Sequence, residues 1–336
     1  MAAAEVAMPQ LEVTELRLNI LIRVYHHNIQ ELFTVKPFCR PKNDDDDDDG
    51  RLKNPVFDIC PKRVSTVPKL NPPLHLLSKE KRNQKKQSLK GPNIIILRPG
   101  MILLKGYISS DDQISIVKTC RELGISNGGF YQPGYSGGTK LHLHMMCLGK
   151  NWDPESHTYT ELRVLDNSKP PGIPEKFYDM VKKAIQDSNE YIQGNARSFD
   201  ERKVFPSKTP DICIVNFYTK TGRLGLHQDK DESDTSLKKG LPVVSFSIGD
   251  SAEFLYGETR DVDEADKVIL ESGDVLIFGG KSRLLFHGVT SILPDSAPTL
   301  MAVVWWTMEL VWCRSRWWYR PVKVYGGGVR YRWSGE

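Results

Sequence analysis

The chain contains no Cys-x-x-Cys pair, although it carries six cysteines in 336 residues. Cys39, Cys60, Cys120, Cys147, Cys213 and Cys313 are scattered, so neither a paired-thiol redox motif nor a zinc ribbon is indicated. Free thiols in a reducing intracellular setting are expected, in the nucleus and/or cytoplasm, with an organelle left open. No run approaches the ~18 apolar residues of a membrane-spanning helix, so no membrane partner is expected. Charge of one sign is also lacking. The net charge is only +4, which argues against a chain that is a strongly basic nucleic-acid binder along its whole length. Glu5, Glu12, Glu15 and Glu31 speak against an acid-poor organellar transit peptide. A hydrophobic content of 39% and a mean hydropathy of −0.41 suit a soluble protein with a sizeable core, and a monomer is expected.

Residues 1–92 have little that could build a core. Asp44 to Asp49 form an acidic run, prolines recur from Pro41 to Pro73, and 78–90 is basic and nearly free of apolar side chains. The segment reads as a disordered or weakly ordered N-terminal extension, with a short amphipathic helix within 11–33 to which no function attaches. The basic stretch reads as a solvated linker before a localisation signal or a nucleic-acid tether. A folded domain is expected over 93–300. Strands are expected at 94–97 and 101–104 around Pro99-Gly100, then a helix over 111–123 capped by Ser109 or Ser110, and a Gly/Tyr-rich loop over 124–138. A helix is expected over 174–192. From Asp211 short strands follow closely, at 211–218, 224–229, 242–249, 252–257, 266–271, 274–279 and 283–289. Many short strands separated by turn residues indicate a β-rich α+β sandwich or jelly roll.

The chemistry sits in Leu226-His227-Gln228-Asp229-Lys230-Asp231-Glu232 and in Phe286-His287-Gly288. On a strand, His227 and Asp229 share a face. His-x-Asp arises by chance about as often as not in a chain with 8 histidines, so the neighbours decide. A β-rich run, Asp211 to Tyr218, leads through a Thr219-Lys220-Thr221-Gly222 turn into Leu224-Gly225-Leu226, a hairpin that delivers both residues to a sheet face. Two histidines and one carboxylate can occupy one face of iron(II) and leave the opposite face open for a co-substrate and oxygen. His227, Asp229 and His287 are therefore the candidate metal ligands and catalytic centre.

With Asn216-x-Tyr218 ahead of the first motif and Gly273-Asp274-Val275-Leu276-Ile277-Phe278 leading to the second, residues from about Ile94 to Thr299 resemble the AlkB family of 2-oxoglutarate- and iron(II)-dependent dioxygenases. Its bacterial, plant and mitochondrial members look nearest. The resemblance implies a double-stranded β-helix with buttressing helices, Fe(II) as cofactor and 2-oxoglutarate as co-substrate. It implies oxidative demethylation of N-alkylated bases in DNA or RNA, with release of succinate, CO2 and formaldehyde. It places Asn216 and Tyr218 at 2-oxoglutarate, and Asp231 near the target base. Arg260 is a candidate contact to base or phosphate. Tyr131 and Trp152 are candidates for stacking on an extruded base.

The end of the chain departs from the family. Family members follow the second histidine with a strand reading roughly Arg-x-Asn-x-Thr-x-Arg, whose arginines hold the 2-oxoglutarate carboxylates. Residues 301–336 are instead rich in Trp, Arg and Gly, with Trp305, Trp306, Trp312, Trp317, Trp318 and Trp333 among the chain's seven tryptophans. Arg314 and Arg320 keep the six-residue spacing of the family's pair, with Arg316 where the family has asparagine. They are the candidate co-substrate arginines. The alternative is a catalytically impaired chain that binds metal or nucleic acid without efficient turnover.

Overall fold

The computed structural model describes residues 57–59, 82, 93–195, 205–206 and 209–298, and residues 16–23 by their backbone. The expectations for 301–336, including Arg314 and Arg320, lie outside these residues.

Among the described residues the strands are β1 (Leu16–Arg23), β2 (Asn93–Arg98), β3 (Met101–Lys105), β4 (His144–Leu148), β5 (Asn151–Asp153), β6 (Thr158–Thr160), β7 (Ile212–Thr219), β8 (Leu224–His227), β9 (Val243–Gly249), β10 (Ser251–Gly257), β11 (Asp266–Leu270), β12 (Val275–Phe278) and β13 (Phe286–Leu293). The helices are α1 (Ser110–Gly124), α2 (Glu175–Asn195) and the short α3 (Asp234–Lys238). A seven-stranded sheet has the order β2-β3-β12-β9-β1-β7-β4, and a four-stranded sheet has the order β11-β10-β13-β8. From β7 to β13 the chain passes repeatedly between the two sheets, so the hairpins expected from turn residues join opposite layers.

Two apolar clusters explain the layering. On one face of the large sheet, Val215, Phe217, Val244, Phe246 and Ile248 pack with Ile116, Val117 and Cys120 of α1 and Phe177, Val181, Ala184 and Ile185 of α2. On the other face, Ile212, Ile214, Tyr218, Val243, Leu276 and Phe278 meet Phe254, Tyr256, Val289 and Ile292 of the small sheet. The strands of the large sheet are thus apolar on both faces, and β7 and β9 are buried almost throughout. α1 begins at Ser109, whose Oγ accepts from the Asp112 amide at 3.1 Å, the cap its sequence suggests.

Three expectations are corrected. The 11–33 helix gives way to β1, which pairs antiparallel with both β7 and β9. Leu16, Leu18, Ile20 and Ile22 alternate with Arg17, Asn19 and Arg23, broken only by Leu21, a period of two that suits a strand. Residues 1–92 are therefore not simply an extension outside the domain. Their described parts belong to it: besides β1, Phe57 stacks on His144 with ring centroids 3.6 Å apart, Asp58 takes two hydrogen bonds from Arg121 of α1, and Ile59 is buried in the helix-side cluster. Third, the strand expected from 283 begins at Phe286. Gly280–Ser282 is a 3-10 turn, held by Ser282 Oγ donating to the Pro99 carbonyl at 2.8 Å, and Arg283 leaves it in helical conformation. The sequence also gave no notice of β4, β5 and β6, which are short or follow loops.

Candidate metal centre

β8 and β13 pair with His227 directly opposite His287, the ladder shifting register between His287 and Val289. Gly288 is required there. A Cβ on it would stand 2.5 Å from the Leu224 carbonyl oxygen, so the strands could not approach as closely with any larger residue. β8 ends at His227, earlier than the expected 224–229, and Asp229 follows it in irregular backbone.

The three side chains converge. One ligand atom from each of His227, Asp229 and His287 lies within 4.8 Å of the others, the one such group found among the described residues. His227 Nε2 is 3.6 Å from Asp229 Oδ1, and His287 Nε2 is 3.6 Å from Asp229 Oδ2. These separations exceed a good hydrogen bond and leave room for an ion between them. Each histidine turns its Nδ1 to a backbone carbonyl, Gly225 at 2.9 Å and Leu285 at 3.1 Å. With Nδ1–H donating there, each Nε2 presents its lone pair to the shared centre, the usual way a protein fixes a ligand tautomer. Phe278 and Phe254 pack against the His287 ring, with centroids 4.9 and 5.8 Å away. The donor set fits iron(II), and three ligands on one side leave positions for others.

A buried ion pair holds the carboxylate's backbone. Arg283 donates through one guanidinium nitrogen to the Asp229 carbonyl, while the other lies 2.8 Å from Glu232 Oε2; their side chains are 3% and 0% exposed. Glu232 and Arg283 were not singled out from the sequence. The only clue was an acidic residue beside the first motif and a basic one beside the second.

A cavity of about 600 Å³ opens over the centre. Its lining brings together most of the residues expected from the sequence: His227, Asp229, His287, Asn216, Tyr218, Asp231, Arg260 and Trp152. Trp152 Nε1 donates to Asp231 Oδ2 at 2.9 Å, and His157 Nδ1 lies 3.2 Å from the same oxygen. Asp231 is thus a held group in the cavity wall, not a free loop charge. Tyr131 is the exception. It forms a backbone bridge with Met145 and is not among the residues lining the cavity, and the Arg163 guanidinium lies 4.3 Å over its ring. Arg163 is anchored in turn by Asp166 and the Gly129 carbonyl. The tyrosine of this loop that lines the cavity is Tyr135.

Residues 100–314 match the family model of the 2OG-Fe(II) oxygenase superfamily. The chain is 31% identical over 201 residues to the α-ketoglutarate-dependent dioxygenase AlkB of Salmonella typhimurium, covering 57% of this chain and 81% of that protein. The chain belongs to the AlkB family of 2-oxoglutarate- and iron(II)-dependent dioxygenases. Within the family it is 56% identical over 242 residues to the DNA N(6)-methyladenine demethylase ALKBH1C of Arabidopsis thaliana, covering 72% of this chain and 52% of that protein. The solved structure of OsALKBH1 shares 59% identity and a TM-score of 0.60, over 63% of this chain and 93% of that one. The chain spans about half the length of the Arabidopsis relatives it matches. The family's cofactor and co-substrate, iron(II) and 2-oxoglutarate, agree with the His-Asp-His centre.

Proposed function

We propose that the protein removes N-methyl groups oxidatively from bases in DNA or RNA. The observation that carries this reading is the three-ligand centre at the base of a cavity whose wall holds Trp152 and Asp231 together. A base taken out of its stack meets an aromatic face there and a carboxylate able to accept from an exocyclic amine. Relatives named DNA N(6)-methyladenine demethylase and tRNA demethylase point to the same substrate class. The two facing sheets, with α1 and α2 packed on the larger, support a double-stranded β-helix.

In mechanistic terms, His227, Asp229 and His287 would hold the iron, which when bound would supply the oxidising chemistry. O2 and 2-oxoglutarate are consumed together. One oxygen atom ends in succinate as CO2 leaves, and the other converts N–CH3 to N–CH2OH, which breaks its C–N bond to release formaldehyde and the unmethylated base. Asn216 and Tyr218, neighbours on one face of β7, hydrogen-bond the co-substrate. The Phe254 and Phe278 rings keep water from the His287 side. Asp231 and Arg260 orient the nucleic acid. Cys120, Cys147 and Cys213 are buried thiols outside any disulfide among the described residues, which suits a reducing compartment.

The test is incubation with iron(II), 2-oxoglutarate and a single-stranded oligonucleotide containing N6-methyladenine, reading formaldehyde and restored adenine. Equal or faster turnover of an N-methyl-lysine peptide would overturn the substrate class. Tight metal binding with no succinate formed would favour the impaired-enzyme alternative.

A further inference from the structure

We propose that His157 is a positioning residue that sets the substrate range. By holding the Asp231 carboxylate, it makes the cavity select bases that still carry an exocyclic N–H and refuse those whose amine is fully methylated. The proposal rests on the reading of the cavity above as the seat of an extruded base.

The contact is the first support. His157 lines the cavity, and its Nδ1 lies 3.2 Å from Asp231 Oδ2. An ionised carboxylate only accepts, so Nδ1 carries the proton between them. Trp152 Nε1 donates to the same oxygen at 2.9 Å. The two rings meet edge to face, with centroids 6.4 Å apart and planes at 65°. Both donors come from the β5–β6 hairpin and both fall on Oδ2, which leaves Oδ1 as the acceptor for a ligand. The Asp231 side chain is 11% exposed and that of His157 is 61% exposed, so the imidazole covers the carboxylate from the solvent side.

The backbone is the second. His157 has φ of 55°, in the left-handed region that a residue with a Cβ rarely adopts. The turn that imposes this is built around it. Asp153 Oδ2 accepts from the Ser156 amide at 3.1 Å and from the Ser156 hydroxyl at 2.6 Å, and the Asp153 carbonyl accepts from the His157 amide at 3.0 Å. Glu155 accepts from the Ser136 amide at 3.2 Å, tying the turn to the loop that carries Tyr135. Glycine would occupy the same backbone without strain. An imidazole held there, on the wall of a cavity and against a carboxylate, is one whose side chain is used.

Chemistry is the third. A carboxylate gripped on one oxygen by two donors has its plane fixed, and its other oxygen accepts from one direction. Such a site reads the geometry of a donor rather than merely attracting positive charge. N6-methyladenine keeps one N–H on its exocyclic nitrogen, and N6,N6-dimethyladenine has none. A site built to bond a substrate N–H rejects the analogue that lacks it, because the site's own polar group is then left unpaired.

The test is equilibrium binding to the full chain, loaded with manganese(II) and 2-oxoglutarate in the absence of oxygen. The probes are single-stranded oligonucleotides carrying one N6-methyladenine or one N6,N6-dimethyladenine. The parent should hold the first roughly tenfold or more tightly than the second, the scale of a hydrogen bond to a charged group. His157→Gly suits the backbone and removes the donor. It should bring that ratio down to roughly threefold or less, with manganese(II) and 2-oxoglutarate affinity near the parent's. His157→Asn tolerates the same backbone and puts an amide N–H in place of Nδ1–H, so it should restore most of the ratio. A ratio unchanged in His157→Gly would overturn the proposal. So would manganese(II) affinity lost in step with oligonucleotide affinity, or a steep fall in the melting temperature of that variant, since either marks a residue that only supports the fold. A parent that prefers neither oligonucleotide over an N-methyl-lysine peptide loses the nucleic-acid reading, and this inference with it. A parent that binds N6-methyladenine, with discrimination intact in His157→Gly, loses this inference alone.

Discussion

His227 and His287 are direct cross-strand partners, one on β8 and one on β13. Their rings lie 4.5 Å apart by centroid, and Asp229 reaches both. Two residues far apart in sequence thus become a single unit through one rung of one ladder. The geometry of the metal centre depends on how closely these two strands approach, as much as on the ligands themselves.

Replacing any one ligand, by His227→Ala, Asp229→Ala or His287→Ala, should abolish stoichiometric iron(II) binding and 2-oxoglutarate turnover, with folding largely kept. Metal titration followed by circular dichroism checks this. Near-parental metal affinity in any one variant would remove that residue from the ligand set.

Gly288→Ala should act on the same centre without touching a ligand. Its Cβ would meet the Leu224 carbonyl at 2.5 Å and the Gly225 backbone at 2.9 Å, so β8 must move off β13. A loss of stability of about 1–3 kcal/mol, typical of overpacking, should come with weaker metal binding. Thermal unfolding with and without manganese(II) separates the two effects.

Arg283 and Glu232 form a buried pair that also fixes the Asp229 backbone. Arg283→Ala strands a carboxylate in the interior and should cost about 3–5 kcal/mol. Metal affinity should fall by roughly 10- to 100-fold, as when an outer partner of a ligand is removed. The double variant Arg283→Met, Glu232→Leu should be more stable than Arg283→Ala, because no lone charge is left inside, yet should remain a poor metal binder. Denaturant unfolding and metal titration on both variants measure the two effects.

The metal motif was legible because its signal is local: His227 and Asp229 are two residues apart, and His287 stands at the start of the β-forming run Phe286–Leu293. The two long helices were legible for the same reason, with a serine cap for α1 and apolar spacing along α2, whereas the short α3 was not expected. The Arg283–Glu232 pair was not, since nothing in either segment says which distant charge it will meet. β1 illustrates the harder limit. Its alternation of apolar and polar residues is visible, but a strand's place is decided by partners some two hundred residues away, and a stretch surrounded by Pro-rich and acidic sequence reads as outside the domain. The loop aromatic was misjudged for a related reason. Tyr131 and Tyr135 are alike in sequence, yet in the fold Tyr135 lines the cavity while Tyr131 lies under Arg163 and bridges to Met145.

The loop beneath Tyr131 should show a specific pH dependence. Hydrogen bonds from Arg163 hold the Asp166 carboxyl below the usual carboxylate range, against the opposing effect of partial burial. A carboxylate with a depressed folded-state pKa contributes stability that is complete above its unfolded pKa, about 3.9, and is lost as pH falls through the folded value. Asp166→Asn should therefore be less stable than the parent at neutral pH, by about 1 kcal/mol or less because the side chain is half-exposed. The difference should close as the pH drops below about 4. Chemical denaturation at a series of pH values tests this, and a gap that widens in acid would contradict it.

Trp152 and Asp231 supply the sharpest test of the cavity's role. Trp152 Nε1 donates to Asp231 Oδ2, and that carboxylate lies two residues beyond the ligand Asp229. Trp152→Phe keeps an aromatic face but removes the donor, so Asp231 is no longer held from that side. A hydrogen bond to a charged group is worth about 1.5–3 kcal/mol, which sets roughly a tenfold or greater effect where the held geometry matters. If Asp231 positions the target base, KM for a methylated oligonucleotide should rise by roughly that factor. Metal affinity and 2-oxoglutarate affinity should stay near the parent's, since neither partner is a ligand. Trp152→Ala, which also removes the stacking face, should raise KM further. Equal losses of metal binding and oligonucleotide affinity in Trp152→Phe would mean that the pair only supports the loop carrying Asp229, and the base-contact role of Asp231 would fall.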